Sequence, residues 1–323
     1  MTEPTTHKAA MHCGPRWDFF CIRRNFRMEL KPALTYEEQI ERLSTVHNLE
    51  IKDTDSAIEI IKRVNYYRLS GYGIGLKDKK NQERYISGVT IESLYRLYSF
   101  DSRFKNMLIH VIEQIEIQLR AQISNYLALK YGPEGYVDPS NFTSKRTKDG
   151  TEIHSNIINS FRQECDRQKN VPFVKHHQEK YGGHYPVWVA VELFTFGNLC
   201  SLYDIMIKED QKAIASLYNT DPNYLRSWIL ALVEIRNICA HYGRLYNMPL
   251  KQTPYLYREY RQYKNARMNK VFPIFITIKR MLSTNPSLWD SFYSDIETIM
   301  DEYDDVIRKS FIGFPPNWKE VLK

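Results

Sequence analysis

The stretch Glu234-Ile235-Arg236-Asn237-Ile238-Cys239-Ala240-His241-Tyr242-Gly243-Arg244-Leu245-Tyr246-Asn247 follows an apolar helical run and crowds polar side chains where that run should end. On a helix that continues to Met248 and stops at Pro249, one face carries two cations, two amides and an imidazole. At about 100° per residue, an arc of about 140° contains Arg236, Asn237, His241, Arg244 and Asn247. Histidine moves protons and arginine binds anionic oxygens, so this face suits chemistry on phosphate.

The composition predicts a soluble, globular protein. The chain has 323 residues, enough for one large domain or two smaller ones, with 43% apolar and 26% charged residues. Its net charge of +7 permits a polyanionic partner without requiring one. The 23 tyrosines supply flat apolar area with a polar tip, which suits both protein cores and nucleic-acid surfaces.

The sequence predicts a cytoplasmic protein that binds no metal. No segment reaches the roughly 18 consecutive apolar residues of a membrane span, and no signal-peptide core opens the chain. No Cys-x-x-Cys motif and no convincing pair of metal-spaced histidines occur, so we expect neither metal nor cofactor. Reduced cytosolic thiols rather than a disulfide framework are expected for Cys13, Cys21, Cys165, Cys200 and Cys239.

Hydrophobic periodicity predicts an all-α fold. Expected helices cover approximately residues 35–47, 55–65, 90–129, 153–169, 173–180, 186–206, 208–219, 222–248, 273–281 and 288–307. The run 90–129 is long for a globular domain, so we expect a break near Phe100-Asp101. Asp221 is the expected N-cap of the helix that begins at Pro222. Residues 1–27 predict a poorly ordered extension, and residues 28–323 a single composite helical domain.

The polar stretch also carries a resemblance to known proteins. Arg236-Asn237-x-x-x-His241 resembles the R-x(4–6)-H signature of HEPN-domain ribonucleases, and its extension through Arg244 and Asn247 resembles the Abi-like family of bacterial abortive-infection proteins. Asn65-Tyr66-Tyr67-Arg68-Leu69-Ser70 and the Pro-x-Trp-Val…Phe-Gly-x-Leu pattern of 186–199 resemble the same family. The resemblance covers about residues 28–280. It implies a HEPN-like helical bundle with additional N- and C-terminal helices, acting in phage defence.

Glu116 is one candidate partner of this signature. It shares a helical face with Glu113 and Arg120, and such a trio usually forms a solvated or internally paired surface. The resemblance adds the alternative that Glu116 orients Arg236 or His241.

Glu192 is a second candidate carboxylate. The apolar run 186–199 predicts a buried central helix in which Glu192 is the one acid. A buried glutamate needs a partner, and the arginines of the signature are candidates.

Two aromatic stretches leave alternatives open. Residues 251–270 mix cations with tyrosines, which predicts either an RNA-binding surface or a solvated basic face with tyrosines packed inward. The cations assigned to substrate binding in the first case are Arg258, Arg261 and Lys264. The stretch 65–72 is interpreted as packing at a helix end, with direct substrate contact as the alternative.

The leading hypothesis is a metal-independent endoribonuclease. RNA carries its own nucleophile, the 2′-OH, and cleavage needs a base, an acid and a cation near phosphorus. His241 would transfer protons, Arg236 would bind the scissile phosphate, and Asn237 would fix the imidazole or contact phosphate. Arg244 and Asn247 would extend the anion site.

One signature supplies one histidine, so the resemblance to dimeric HEPN proteins implies a homodimer with a composite site. Its products would end in a 2′,3′-cyclic phosphate. A non-catalytic RNA-binding or regulatory protein is the alternative, and the sequence identifies no regulatory RNA or antitoxin. The chain lacks a Gly-rich phosphate loop and metal-spaced aspartate pairs, which argues against a nucleotidyl- or phospho-transferring enzyme.

Overall fold

Thirteen α-helices make up most of the part of the chain that the computed structural model describes, residues 32–263 and 269–323. They are α1 Tyr36–Thr45, α2 Thr54–Arg63, α3 Tyr66–Ser70, α4 Ile91–Tyr131, α5 Ile153–Arg167, α6 Pro172–Tyr181, α7 Val187–Leu193, α8 Phe196–Ile205, α9 Lys208–Ser216, α10 Pro222–Ala240, α11 Phe272–Met281, α12 Pro286–Glu302 and α13 Trp318–Leu322. Short 3₁₀ helices cover Pro139–Asn141, Arg258–Tyr263 and Lys309–Phe311.

Within those ranges strand contacts are limited to isolated bridges, and the predicted all-α class is confirmed. Most predicted helices occur within a few residues of their expected bounds, although α12 ends at Glu302 rather than Ile307. The predicted extension 1–27 and the domain start at Met28 lie outside the described residues. In the described ranges no helix combines the length and apolarity needed to cross a bilayer.

The helix α4 is the axis of the fold. Its 41 residues run without interruption for about 60 Å, so the predicted break near Phe100-Asp101 is wrong. Its first turns pack on a small core with α1 and α2, where Leu43, Ile60 and Leu94 are buried. The rest of α4 crosses the main core and packs against α7, α10 and α12. Burial on several sides sustains a helix that would be unusually long in isolation.

Asp101 lies inside this long helix because other elements use its carboxylate. It is fully buried and accepts hydrogen bonds from the Tyr72 hydroxyl at 2.8 Å and from the amides of Leu245 and Tyr246 at 3.1 and 2.8 Å. Lys105, one turn further along α4, lies 3.3 Å from it. A buried carboxylate is tolerated when its oxygens are bonded and its charge is paired, and Asp101 meets both conditions.

The apolar run 186–206 forms two helices, so the single helix expected there is wrong. The chain turns at Phe194-Thr195, and the Thr195 side chain caps α8 by accepting from the Asn198 amide at 3.0 Å. The guanidinium of Arg120 in α4 donates to Val191 O, which also accepts from the Phe194 amide, and, at 2.7 Å, to Phe194 O. The Thr195 cap and the Arg120 guanidinium therefore both stabilise the break between α7 and α8.

Replacement of Asp101 by Asn is expected to lower the free energy of unfolding by about 3–5 kcal/mol, because Lys105 then stays buried without a counter-charge. Urea unfolding followed by circular dichroism measures this. Asp295→Asn on exposed α12 is the matched control, and we expect it to change stability by less than about 0.5 kcal/mol. Equal effects of the two substitutions would contradict the role of the buried pair.

Candidate functional site

The polar stretch begins in the last turn of α10 and leaves the helix. Asp221 caps the start of α10 by accepting from the Asn223 amide at 2.9 Å, as predicted. The helix ends at Ala240 with His241 at the capping position, so the expected continuation to Met248 is wrong. Arg236 and Asn237 lie in the final helical turn, whereas Arg244 and Asn247 belong to the irregular segment that follows.

A compact turn explains why α10 ends there. Tyr242 adopts a left-handed backbone with φ of 56°, and its amide donates to Cys239 O at 3.3 Å. The next amide, that of Gly243, donates to Ile238 O at 2.8 Å. These two bonds form a Schellman motif, which satisfies carbonyls at the helix end. A side chain on Gly243 would lie 2.9 Å from Ile238 Cγ2, so this turn needs glycine for space.

Arg236 lies against the buried carboxylate of Glu116. Its Nε lies 3.7 Å from Oε2 of Glu116, whose other oxygen pairs with Arg120. Glu116 and Arg120 are 8% and 9% exposed, whereas 37% of the Arg236 side chain is exposed. Contacts therefore run from the α7–α8 break through Arg120 and Glu116 to a guanidinium that still reaches solvent.

His241 and Asn237 both reach solvent at the end of α10. Both residues are exposed, and the His241 imidazole forms no hydrogen bond within residues 32–263 and 269–323. Asn237 Oδ1 lies 3.5 Å from Nη1 of Arg236, at the outer limit of a hydrogen bond. The carbonyl of Asn237 accepts from the His241 amide at 3.0 Å. The end of α10 therefore presents an unengaged imidazole, and an amide next to the guanidinium that Glu116 anchors.

Arg244 is partly buried instead of standing beside His241. Its guanidinium lies over the Tyr72 ring at 5.8 Å, and Nη2 donates to the sulfur of Met248 at 3.0 Å. Nη1 is buried and has no partner among the described residues. Burial lowers the pKa of Arg244 from its ordinary value, although Tyr72 and Asp101 oppose the shift. Much of this side chain is therefore committed to packing.

Asn247 is engaged on both ends of its amide. Its Nδ2 donates to Ile74 O at 2.9 Å, and its Oδ1 accepts from the buried ammonium of Lys270 at 3.2 Å. A second link joins the same two regions, because Arg68 donates to Tyr242 O at 2.8 Å. The stretch that begins at Asn65 thus packs directly on the segment that follows α10.

The segment after the signature runs back along α10. Backbone amides of Lys251 and Gln252 donate to the Glu234 carboxylate, and Trp228 Nε1 donates to Tyr255 O at 2.7 Å. The Tyr257 ring then stacks on Tyr224, near the start of α10, at 4.5 Å.

Because the chain runs back along α10, the basic stretch that begins at Arg258 lies away from the signature. Arg258 follows Tyr257, whose ring stacks on Tyr224 near the start of α10. About 18 Å of helix lie between positions 224 and 236. Arg261 lies one turn further on, and Lys264 is outside the described residues. Arg258 and Arg261 are exposed, and the structure does not group Arg258 with Arg236 and His241.

Glu192 is exposed, so the expectation that it is buried beside a signature arginine is wrong. The short helix α7 buries Val187, Ala190 and Val191 and leaves Glu192 on its outer side. Within the described ranges this carboxylate forms no ion pair.

Some residues of the site were not identified from the sequence alone. Asp101 and Lys105 were missed, and Lys105 donates to Gly243 O at 2.6 Å. The sequence signal that could have identified Asp101 is its position as the one acid between Phe100 and Phe104 in an apolar stripe. No group of three or more His, Cys, Asp or Glu side chains in the described part of the chain could hold a metal ion.

Comparison with known proteins gives one match. The family model described as Abi-like protein matches residues 59–247, which is more than half of the chain and ends at Asn247. The matched range includes both the stretch from Asn65 and the signature that it packs against. No curated protein and no solved structure matches the chain.

Gly243→Ala is expected to lower the free energy of unfolding by about 1–3 kcal/mol, because the new methyl group overpacks against Ile238. Gly197→Ala in α8 is the matched control, since its nearest neighbour would be 3.7 Å away. There we expect no loss, or a gain of about 0.5–1 kcal/mol from helix propensity. Chemical unfolding of both variants decides, and a Gly243→Ala protein as stable as the control would refute the steric argument.

Proposed function

The chain belongs to the Abi-like protein family, whose members are linked to phage defence by abortive infection, and we propose that it acts there as a metal-independent endoribonuclease. The observation that carries the proposal is the end of α10, where an exposed imidazole follows, five residues on, a guanidinium held by buried Glu116. The resemblance of Arg236-Asn237-x-x-x-His241 to the HEPN signature points to the same chemistry and to a HEPN-like bundle.

The proposed reaction uses the nucleophile that RNA contains. A base removes the proton from the 2′-OH, the oxygen attacks phosphorus, and an acid protonates the departing 5′-oxygen. The products are a 2′,3′-cyclic phosphate and a free 5′-hydroxyl. His241 acts in proton transfer, and Arg236 stabilises the negative charge that develops on the phosphate oxygens. Asn237 orients the imidazole or binds a phosphate oxygen.

We further propose that two chains share one groove. Each chain offers one such histidine, whereas the reaction needs a base and an acid at the same time. His241 and the 75% exposed Tyr242 stand at the open end of α10, where a second copy could approach. In a homodimer, one His241 removes the 2′ proton while the other protonates the leaving group.

The buried positions have supporting roles in this scheme. Arg244 and Asn247, first assigned to substrate binding, hold the segment after α10 against the stretch that begins at Asn65. Arg258 and Arg261 are available to bind RNA phosphates away from the cleavage site. Their separation from His241 also fits the alternative, an RNA-binding protein without cleavage activity, which the next experiment distinguishes.

His241→Ala is expected to lower the rate of RNA cleavage by about 10²–10⁴-fold, as loss of a general acid–base group does. Sequencing of RNA ends after expression of each variant gives the measurement, with cyclic phosphate ends expected for the wild type. His176→Ala on exposed α6 is the matched control and should cleave normally. Cleavage by His241→Ala at the wild-type rate would exclude the assignment, and intact RNA with bound wild-type protein would favour the binding alternative.

Glu116→Gln tests the positioning of Arg236. Neutralising the carboxylate loosens the guanidinium, and we expect kcat to fall by roughly 10–100-fold with little change in KM. Glu192→Gln makes the same chemical change on exposed α7 and should leave both constants unchanged. The positioning role fails if the two variants have equal kcat.

A further inference from the structure

A cavity of about 300 Å³ opens between the end of α11, the start of α12 and the carboxyl-terminal helix α13. All the residues that line it follow position 247, so they lie outside the range matched by the family model. One of them, Arg280, lies 4.8 Å from the centre of the Tyr257 ring, which stacks on Tyr224 at the end of α10 remote from His241. The proposed nuclease site therefore does not account for this cavity.

Aromatic side chains and cations meet at its wall. Trp289 of α12 is 8% exposed, and the ammonium of Lys279 lies 5.9 Å from the centre of its ring. The guanidinium of Arg280 lies 5.9 Å from the centre of the Tyr260 ring. The cavity thus has flat apolar walls with positive charge beside them, a combination suited to a ring system that carries an anionic group.

The positive charge in the cavity is incompletely balanced. Arg280 pairs with Glu259 at 3.2 Å, whereas Lys279 has neither an ion pair nor a hydrogen bond in the part of the chain that the structure describes. Burial, reinforced by the charge of Arg280, lowers the pKa of Lys279. Like charges held side by side in a half-buried place favour an anion between them.

The start of α12 adds to the positive potential at the cavity. Pro286 and Trp289 both line the cavity, so the first turn of this 17-residue helix borders it. Pro286 has no N–H and the Leu288 amide donates to Asn285 Oδ1 at 3.3 Å, so the helix contributes the positive end of its dipole, which favours phosphate. Ser283, also in the wall, offers a hydroxyl.

From these features we propose that the cavity binds one nucleoside phosphate. The base lies against Trp289 or Tyr260, and the phosphate lies between Lys279, Arg280 and the start of α12. A volume near 300 Å³ is at the lower end for small-molecule sites, which fits one nucleotide. The ligand is either a free mononucleotide or a single nucleotide of an RNA strand, since both present the same groups.

The test uses the full-length protein and isothermal titration calorimetry with two probes. One is a panel of the four 5′-nucleoside monophosphates, and the other is a 2′-O-methyl octaribonucleotide, which cannot be cleaved by 2′-OH attack. We expect the monophosphates to bind saturably at one site per chain, and Lys279→Ala to weaken the binding of the probe that occupies the cavity about tenfold or more. Lys212→Ala removes the same charge from exposed α9 and should leave the affinity unchanged.

A second substitution separates this site from the proposed nuclease site. His241→Ala should bind the probes as the wild type does, so loss of cleavage and loss of cavity binding are distinguishable. Binding of the monophosphates identifies a free nucleotide as the ligand. Binding of the octaribonucleotide alone, weakened by Lys279→Ala, identifies an RNA strand. The proposal is overturned if neither probe binds, or if Lys279→Ala and Lys212→Ala bind equally well.

Discussion

The buried carboxylate of Asp101 is the constraint on which the site depends. It binds two consecutive amides of the segment after α10 and the hydroxyl of Tyr72, and Lys105 balances its charge. One side chain of the central helix therefore fixes two of the three stretches that resemble the Abi-like family, the stretch 65–72 and the signature. Isolated, such a charge would be expensive to bury, but with these bonds it becomes a specific clamp.

A second set of buried contacts connects the break between α7 and α8 to the solvent-accessible Arg236. Arg120 donates to the carbonyls of Val191 and Phe194 where α7 and α8 separate, and it shares Glu116 with Arg236. The position of a solvent-accessible guanidinium is thus determined by a break between two other helices. Preorganisation of this kind matters for chemistry on phosphate, because a charge that is already in place needs no reorganisation when the transition state forms.

The predictions made from sequence succeeded where local chemistry decides. Periodic apolar residues determined the all-α class and most helix positions, and Asp221-Pro222 determined the start of α10. These features depend on residues within one or two turns, so the sequence carries them directly.

Tertiary structure decided the rest. Asp101 lies within a continuous helix because distant amides bind it, and α10 ends at Ala240 because Tyr242 and Gly243 can close the turn while Asp101 holds the next residues. Glu116 rather than Glu192 contacts Arg236, since the break after α7 leaves Glu192 in solvent. Sequence by itself determined the helical class and which ionisable and amide side chains follow the apolar run of α10. Only packing between helices decided which of them meet, because those contacts join residues far apart in the chain.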